Sequence, residues 1–144
     1  MIKMKNLILL IFSLALLSCA SLQHSLEKEN KFYITLGDCF DNDTVSVYAN
    51  DSLLFKDRVF ESGFSTGKVP NTFIIYENGY LIAEQEGEQR KVKSQINDEL
   101  RLEIYLNDLN SSFALSLKKG RIMVVDACQS EITINQYKKK VVFE

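Results

Sequence analysis

The chain has 144 residues, 46% of them hydrophobic and 25% charged, with one proline, one histidine and no tryptophan. That is the make-up of one ordinary globular domain, and it excludes a multidomain enzyme, a disordered chain and a polytopic membrane protein. A formal charge of −2 with no basic stripe makes nucleic acid a poor partner.

At the start of the chain, Lys3 and Lys5 stand before a greasy run from Leu7 to Leu17 that only Ser13 interrupts. The run is short for a bilayer span, and a charged segment ahead of an apolar stretch of this length reads as a secretory signal, so residues 1–18 are set apart from the fold. Leu16, Leu17, Ser18 and Cys19 then resemble the lipobox of bacterial lipoproteins, in which a small residue precedes the cysteine that is diacylated, cleaved and N-acylated. The resemblance covers about the first nineteen residues and implies acyl chains such as palmitate on Cys19. Several chains anchor stably, because each buried methylene contributes about 0.8 kcal/mol and one chain alone is marginal. The alternative is ordinary cleavage after Ala20, which discards Cys19. Ala20 stands where some bacteria place an aspartate to retain lipoproteins at the inner membrane, so the expected location is the outer membrane, on its periplasmic or its external side. Residues 19–31 are polar and unpatterned, contain the single histidine, His24, and read as a lipidated tether. Without residues 1–18 the chain has fifteen basic and nineteen acidic side chains, a formal −4.

From Phe32 onward the dominant signal is a period of two, the mark of half-buried antiparallel strands. Val45, Val47 and Ala49 alternate with Thr44, Ser46 and Tyr48. Leu100, Leu102, Ile104 and Leu106 alternate with Arg101, Glu103, Tyr105 and Asn107, and Phe113, Leu115 and Leu117 with Ala114, Ser116 and Lys118. Asn50-Asp51 between two such runs predicts a hairpin. Asn78-Gly79 predicts another, because that dipeptide readily takes the positive φ angles of a type I′ turn. Asn107 to Ser112 is expected to be a third turn and Lys119-Gly120 a fourth, while Glu84 to Asp98 reads either as a long loop or as a twisted edge hairpin. Ile132 to Asn135 and Lys140 to Phe143 add one or two strands, and Lys138-Lys139-Lys140 is expected to protect an exposed edge. Eight to ten short strands and no convincing helix predict an all-β domain over residues 32–144. The expected architecture is an antiparallel β-sandwich, immunoglobulin-like or jelly-roll-like, with roughly two-thirds of its unfolded surface buried.

The run Asp43-Thr44-Val45-Ser46-Val47-Tyr48, Asn50-Asp51, Leu54-Phe55, the later Ile132-Thr133-Ile134-Asn135-Gln136 and the final Phe143-Glu144 together resemble small lipoproteins of Bacteroidota. The resemblance concerns strand patterning, and it implies an exported sandwich domain with no particular activity.

Few residues offer chemistry. Cys39 and Cys128 form an even pair once Cys19 is lipidated; in an oxidising envelope they are either a disulfide or two buried thiols. Asp38, Asp41, Asn42 and Asp43, with Asp126 as a possible fifth group, are the densest oxygen ligands. Calcium is one explanation and Asx turns are the other, and the spacing is not that of an EF-hand. Tyr48 and Tyr105, on the polar faces of their strands, and Tyr76 and Tyr80 are the candidates for ligand contact, against cross-strand packing as the plainer explanation. Phosphate loops, nucleophile elbows and paired-cysteine zinc signatures are absent, and carboxylate-only hydrolysis is the weakest option. The expectation is therefore a non-catalytic, lipid-anchored envelope protein with a binding or structural role, no cofactor and no metal. Its expected partner is another envelope protein. The alternative is a carbohydrate-binding module that takes a glycan on Tyr48 and Tyr105, with or without calcium.

Overall fold

The computed structural model describes residues 30–139. The expected signal, Cys19, most of the expected tether, Lys140 and the strand expected from Lys140 to Phe143 lie outside these residues. Ten strands follow in chain order: β1 Phe32–Leu36, β2 Asp43–Ala49, β3 Ser52–Phe60, β4 Thr72–Glu77, β5 Tyr80–Gln85, β6 Glu88–Lys93, β7 Glu99–Leu106, β8 Leu109–Ser116, β9 Ile122–Asp126 and β10 Thr133–Tyr137. They form a six-stranded sheet, β10-β9-β1-β4-β5-β6, and a four-stranded sheet, β3-β2-β7-β8. The domain is a β-sandwich, and no helix occurs among the described residues.

Turn chemistry sets the register. Asn50 and Asp51 have φ of 44° and 64°, Asn78 and Gly79 have 52° and 79°, and Glu86 and Gly87 have 50° and 88°. Each pair therefore joins its strands through a two-residue turn with both φ positive, matching the right-handed strand twist. The third turn is shorter than the sequence suggests. Asn107 and Asp108 alone make it, and Leu109 already faces Leu106, so Leu109 to Ser112 belong to β8. The Glu84 to Asp98 stretch resolves into the β5–β6 edge hairpin followed by a segment that crosses to the other sheet, pinned by Ser94 N–H donating to Gly79 O at 3.0 Å.

One pair departs from the antiparallel expectation: β1 and β9 run parallel, Tyr33 opposite Ile122 and Leu36 opposite Val125. A parallel neighbour needs a long connection, and here the whole of β2 to β8 supplies it. Lys119-Gly120 accordingly does not close a hairpin; it carries the chain from β8 in one sheet to β9 in the other.

The inward rows of both sheets fill one core. Val45, Val47, Ala49, Leu100, Leu102, Ile104 and Leu106 are buried from the four-stranded sheet; Phe32, Ile34, Ile74, Leu81, Met123 and Val125 meet them from the other. Ile96, on the crossing segment, closes the end beside Tyr76. Truncating such a side chain to alanine costs about 2–5 kcal/mol, through lost transfer energy and the cavity left behind.

All strands end at one of two poles. The proximal pole holds Asn30, the turns at 50–51 and 78–79, residues 94–98 and 117–121, and Lys138-Lys139. The distal pole holds the loops 37–42, 61–71 and 127–132 and the turns at 86–87 and 107–108. Asn30 and Lys31, expected in the tether, are already fastened at the proximal pole. Arg121 Nη1 donates to Asn30 Oδ1 and to Lys31 O, both at 3.1 Å, and Asn30 Nδ2 donates to Ile96 O at 2.8 Å.

Candidate functional site

The distal pole is the most elaborately built part of the surface. Cys39, just after β1, and Cys128, just after β9, are joined there with sulfurs 2.00 Å apart and Cα atoms 5.0 Å apart. The parallel pairing brings them together: Gly37 N–H donates to Val125 O at 2.7 Å and Ala127 N–H to Asp38 O at 3.1 Å. Ser62 ties the next loop to the same place, its hydroxyl donating to Gly37 O at 2.8 Å while accepting from Phe40 N–H at 3.0 Å.

Of the acidic run expected to serve either calcium or turns, Asp38 and Asp43, together with Asp126, accept bonds within the turns. Asp126 Oδ1 accepts from Asp38 N–H at 2.8 Å, Asp38 Oδ1 from Cys39 N–H at 2.7 Å, and Asp43 Oδ2 from Asp41 N–H at 3.0 Å. Asp43 Oδ1 takes a further bond from Asn107 Nδ2 at 2.6 Å. Left-handed backbone at Cys39 and Asn42, with φ of 66° and 53°, fits these short-range bonds. Among the described residues no three His, Cys, Asp or Glu side chains converge closely enough to hold a metal ion.

Above this base stands a loop that the sequence did not single out. Gly63 N–H donates to Lys68 O at 2.9 Å, and Thr66 and Gly67 N–H both return to Gly63 O, at 3.1 and 2.9 Å. These bonds fix a tight turn whose apex is Phe64, fully exposed at 108%. Beside it Val59, 55% exposed, opens onto a groove of about 400 Å³ lined also by Val69, Pro70, Thr72 and Gln85. The signal was faint, a lone aromatic in a glycine- and serine-rich loop, which no periodicity marks.

The four tyrosines separate. Tyr76 is a core residue, 4% exposed and stacked on Phe32 at 5.3 Å between centroids; its hydroxyl accepts from Ile96 N–H at 3.2 Å and donates to Ser94 O at 3.3 Å. It is therefore withdrawn as a ligand contact. Its inward parity on β4 was hidden because the neighbouring Ile75 is apolar too. Tyr80 sits half-buried under Lys91 Nζ, 4.2 Å from the ring centroid. Tyr48 and Tyr105 do meet, on the outer face of the four-stranded sheet, edge to face with centroids 5.7 Å apart. Tyr105, but not Tyr48, lines a shallow depression of about 120 Å³ together with Glu103, Asn110, Ser111 and Ser112.

On the opposite outer face, burial raises the pKa of Tyr33 above its ordinary 10.0, and the charge of Glu84 adds to the rise. Its ring stacks on Phe73 with centroids 5.6 Å apart. No protein family, no curated protein and no solved structure matches the chain.

Proposed function

We propose that this is a non-catalytic binding domain of the bacterial cell envelope, held at the outer membrane by lipid on Cys19, and that it meets another envelope protein with its distal pole. The observation that carries the reading is Phe64. A fully exposed aromatic ring contributes nothing to the core, yet three backbone bonds close its loop and Ser62 ties the loop's base to Gly37 and Phe40. Rigid aromatic anchors beside a groove of mixed lining, here Val59 and Pro70 with Glu61, Glu86 and Gln85, are what protein interfaces concentrate their binding energy in, because little conformational freedom is lost on contact. The lipobox resemblance at Leu16 to Cys19 supports the location.

Two experiments test the reading. A photo-crosslinking amino acid at position 64, in intact cells, is expected to trap one discrete envelope protein, whereas the same group at position 105 traps none; equal adducts from both positions refute the distal pole as the contact. Protease shaving of intact cells, beside a Cys19→Ala variant, finds the side of the membrane, and unchanged membrane association in that variant refutes the anchor.

The second reading, a carbohydrate-binding module, has one observation behind it. Tyr105, packed on Tyr48, lines a depression whose other walls are a carboxylate, an amide and two hydroxyls, groups that suit sugar hydroxyls. A glycan array with and without chelator decides it. Absence of binding, with Tyr48→Ala and Tyr105→Ala lowering only stability, removes the module from consideration.

A further inference from the structure

The outer face of the six-stranded sheet is not the polar surface that a solvent-facing sheet carries. Cross-strand register lines up Tyr137, Ile122, Tyr33, Ile75 and Ile82 in one row over five strands, ending at Lys91. Val124, buried at 3%, and Phe73 flank the row on the distal side, and Tyr80 lies on the proximal side under Lys91; within the row Ile122 is buried, Tyr33, Ile75 and Ile82 are half-buried, and Tyr137 is exposed. At the usual strand spacing this band runs roughly 20 Å across the sheet.

The charges of the domain are sorted along the other axis. Among the described residues, cut across the middle of the strands, the proximal half has nine Lys and Arg against five Asp and Glu; the distal half has four against eleven. Several proximal acids are already paired, Glu77 with Lys31 at 2.7 Å, Asp98 with Lys118 at 3.0 Å and Asp51 with Arg101. Lys93, Lys119, Lys138 and Lys139 stand exposed around the same pole. Residues 1–29 join the domain there too, at Asn30.

We infer that the proximal pole and the adjoining apolar band form a docking surface for an anionic phospholipid membrane. Three features converge on that occupant. Exposed lysines supply attraction to acidic headgroups, tyrosines at the rim suit the headgroup layer, and the chain that would carry the lipid enters between them. The acidic distal pole is repelled, so the domain stands with Phe64 away from the membrane, free for its partner. The inference deepens the reading of a membrane-held domain and rests on it for the native location, but its own test needs no acylation.

The chain lacks tryptophan, so a single introduced one is an unambiguous depth reporter. Mature chains from residue 19, with Cys19→Ala in all of them, carrying Tyr137→Trp, or Tyr80→Trp as a second proximal reporter, are compared with Phe64→Trp. All are bound to vesicles of equal parts phosphatidylcholine and phosphatidylglycerol with brominated acyl chains. The proximal reporters are expected to shift to shorter wavelength and to be quenched, and the distal one to do neither. Neutralising Lys93, Lys138 and Lys139 to Gln is expected to weaken the proximal quenching about fivefold per lysine, about a hundredfold together, and raised salt to act in the same direction. Quenching of Phe64→Trp alone would mean the opposite pole docks and overturns the proposal. So does the absence of quenching at every position, including the case in which sedimentation finds the band buried in a dimer. Failure of the anchor reads out separately, as unchanged cell fractionation of Cys19→Ala.

Discussion

Removing the Cys39–Cys128 bridge is the perturbation whose size follows most directly from the topology. The cross-link closes a loop with a sequence separation of 89 residues. In the chain-entropy account a loop of that length removes about 4.5 kcal/mol of freedom from the unfolded state at 25 °C. The folded state gives little back when the bridge is lost. Cys39 is exposed and Cys128 half-buried, so serine at both positions leaves no large cavity, and β1 and β9 are still aligned by their own ladder. The Cys39→Ser/Cys128→Ser variant, made with Cys19→Ala in both it and its reference, is therefore expected to lose about 4 kcal/mol in urea unfolding and about 15 °C in Tm. The denaturant slope should rise as well, since an uncross-linked unfolded chain exposes more surface. A loss below about 1 kcal/mol with an unchanged slope refutes the reasoning, because it means that the reduced unfolded chain already holds these ends together.

Three further outcomes are expected. A Cβ at Gly120 would lie 2.7–2.8 Å from the backbone N, C and O of Tyr137, atoms that cannot swing aside, so Gly120→Ala should cost about 1–3 kcal/mol and strip amide protection from β10. Phe64→Ala should leave stability within about 0.5 kcal/mol while Phe60→Ala, four residues earlier and 1% exposed, loses about 3–5 kcal/mol; equal losses in chemical denaturation contradict the exposed loop. Because the folded domain raises the pKa of Tyr33 over its unfolded value, it holds that proton more tightly. The linked stability is complete below pH 10.0 and declines as pH climbs through the raised folded value, and Glu84→Gln should lower the Tyr33 titration in ultraviolet absorbance only in part, since burial is the larger cause.

Much of the four-stranded sheet was legible because its outer face meets water. β7 reads Glu-Leu-Arg-Leu-Glu-Ile-Tyr-Leu, and each leucine and the isoleucine falls inward, as the alternation requires. The Asn-Asp and Asn-Gly turns were legible for an equally local reason, their tolerance of positive φ. What escaped was set by contacts between distant parts of the chain. The parallel β1–β9 pairing leaves no local mark, and neither does the crossing of Lys119-Gly120 between sheets. Glu86-Gly87 was obscured by the charged and polar residues of β6, an exposed edge strand with no apolar alternation to mark it. Of the candidate site, the acids at 38–43 were seen but their work as backbone caps was only one of two readings, and Phe64 was not seen at all.

The strands of the six-stranded sheet resisted a period-two reading for a different reason. β1 reads Phe-Tyr-Ile-Thr-Leu, β4 Thr-Phe-Ile-Ile-Tyr-Glu and β9 Ile-Met-Val-Val-Asp, apolar on both faces. Position within the sheet does not explain this, because β2 and β7 are also interior strands and alternate cleanly. Nor does chance scatter; Tyr137, Ile122, Tyr33, Ile75 and Ile82 keep one height over five strands, with Val124 and Phe73 together one step nearer the distal pole. A core needs only the inward row. An outward row that keeps its height over five strands, bordered by lysines at the pole where residues 1–29 join, has the composition of a contact surface. The lost alternation that weakened the reading of these strands is thus the sequence trace of the face assigned to the membrane.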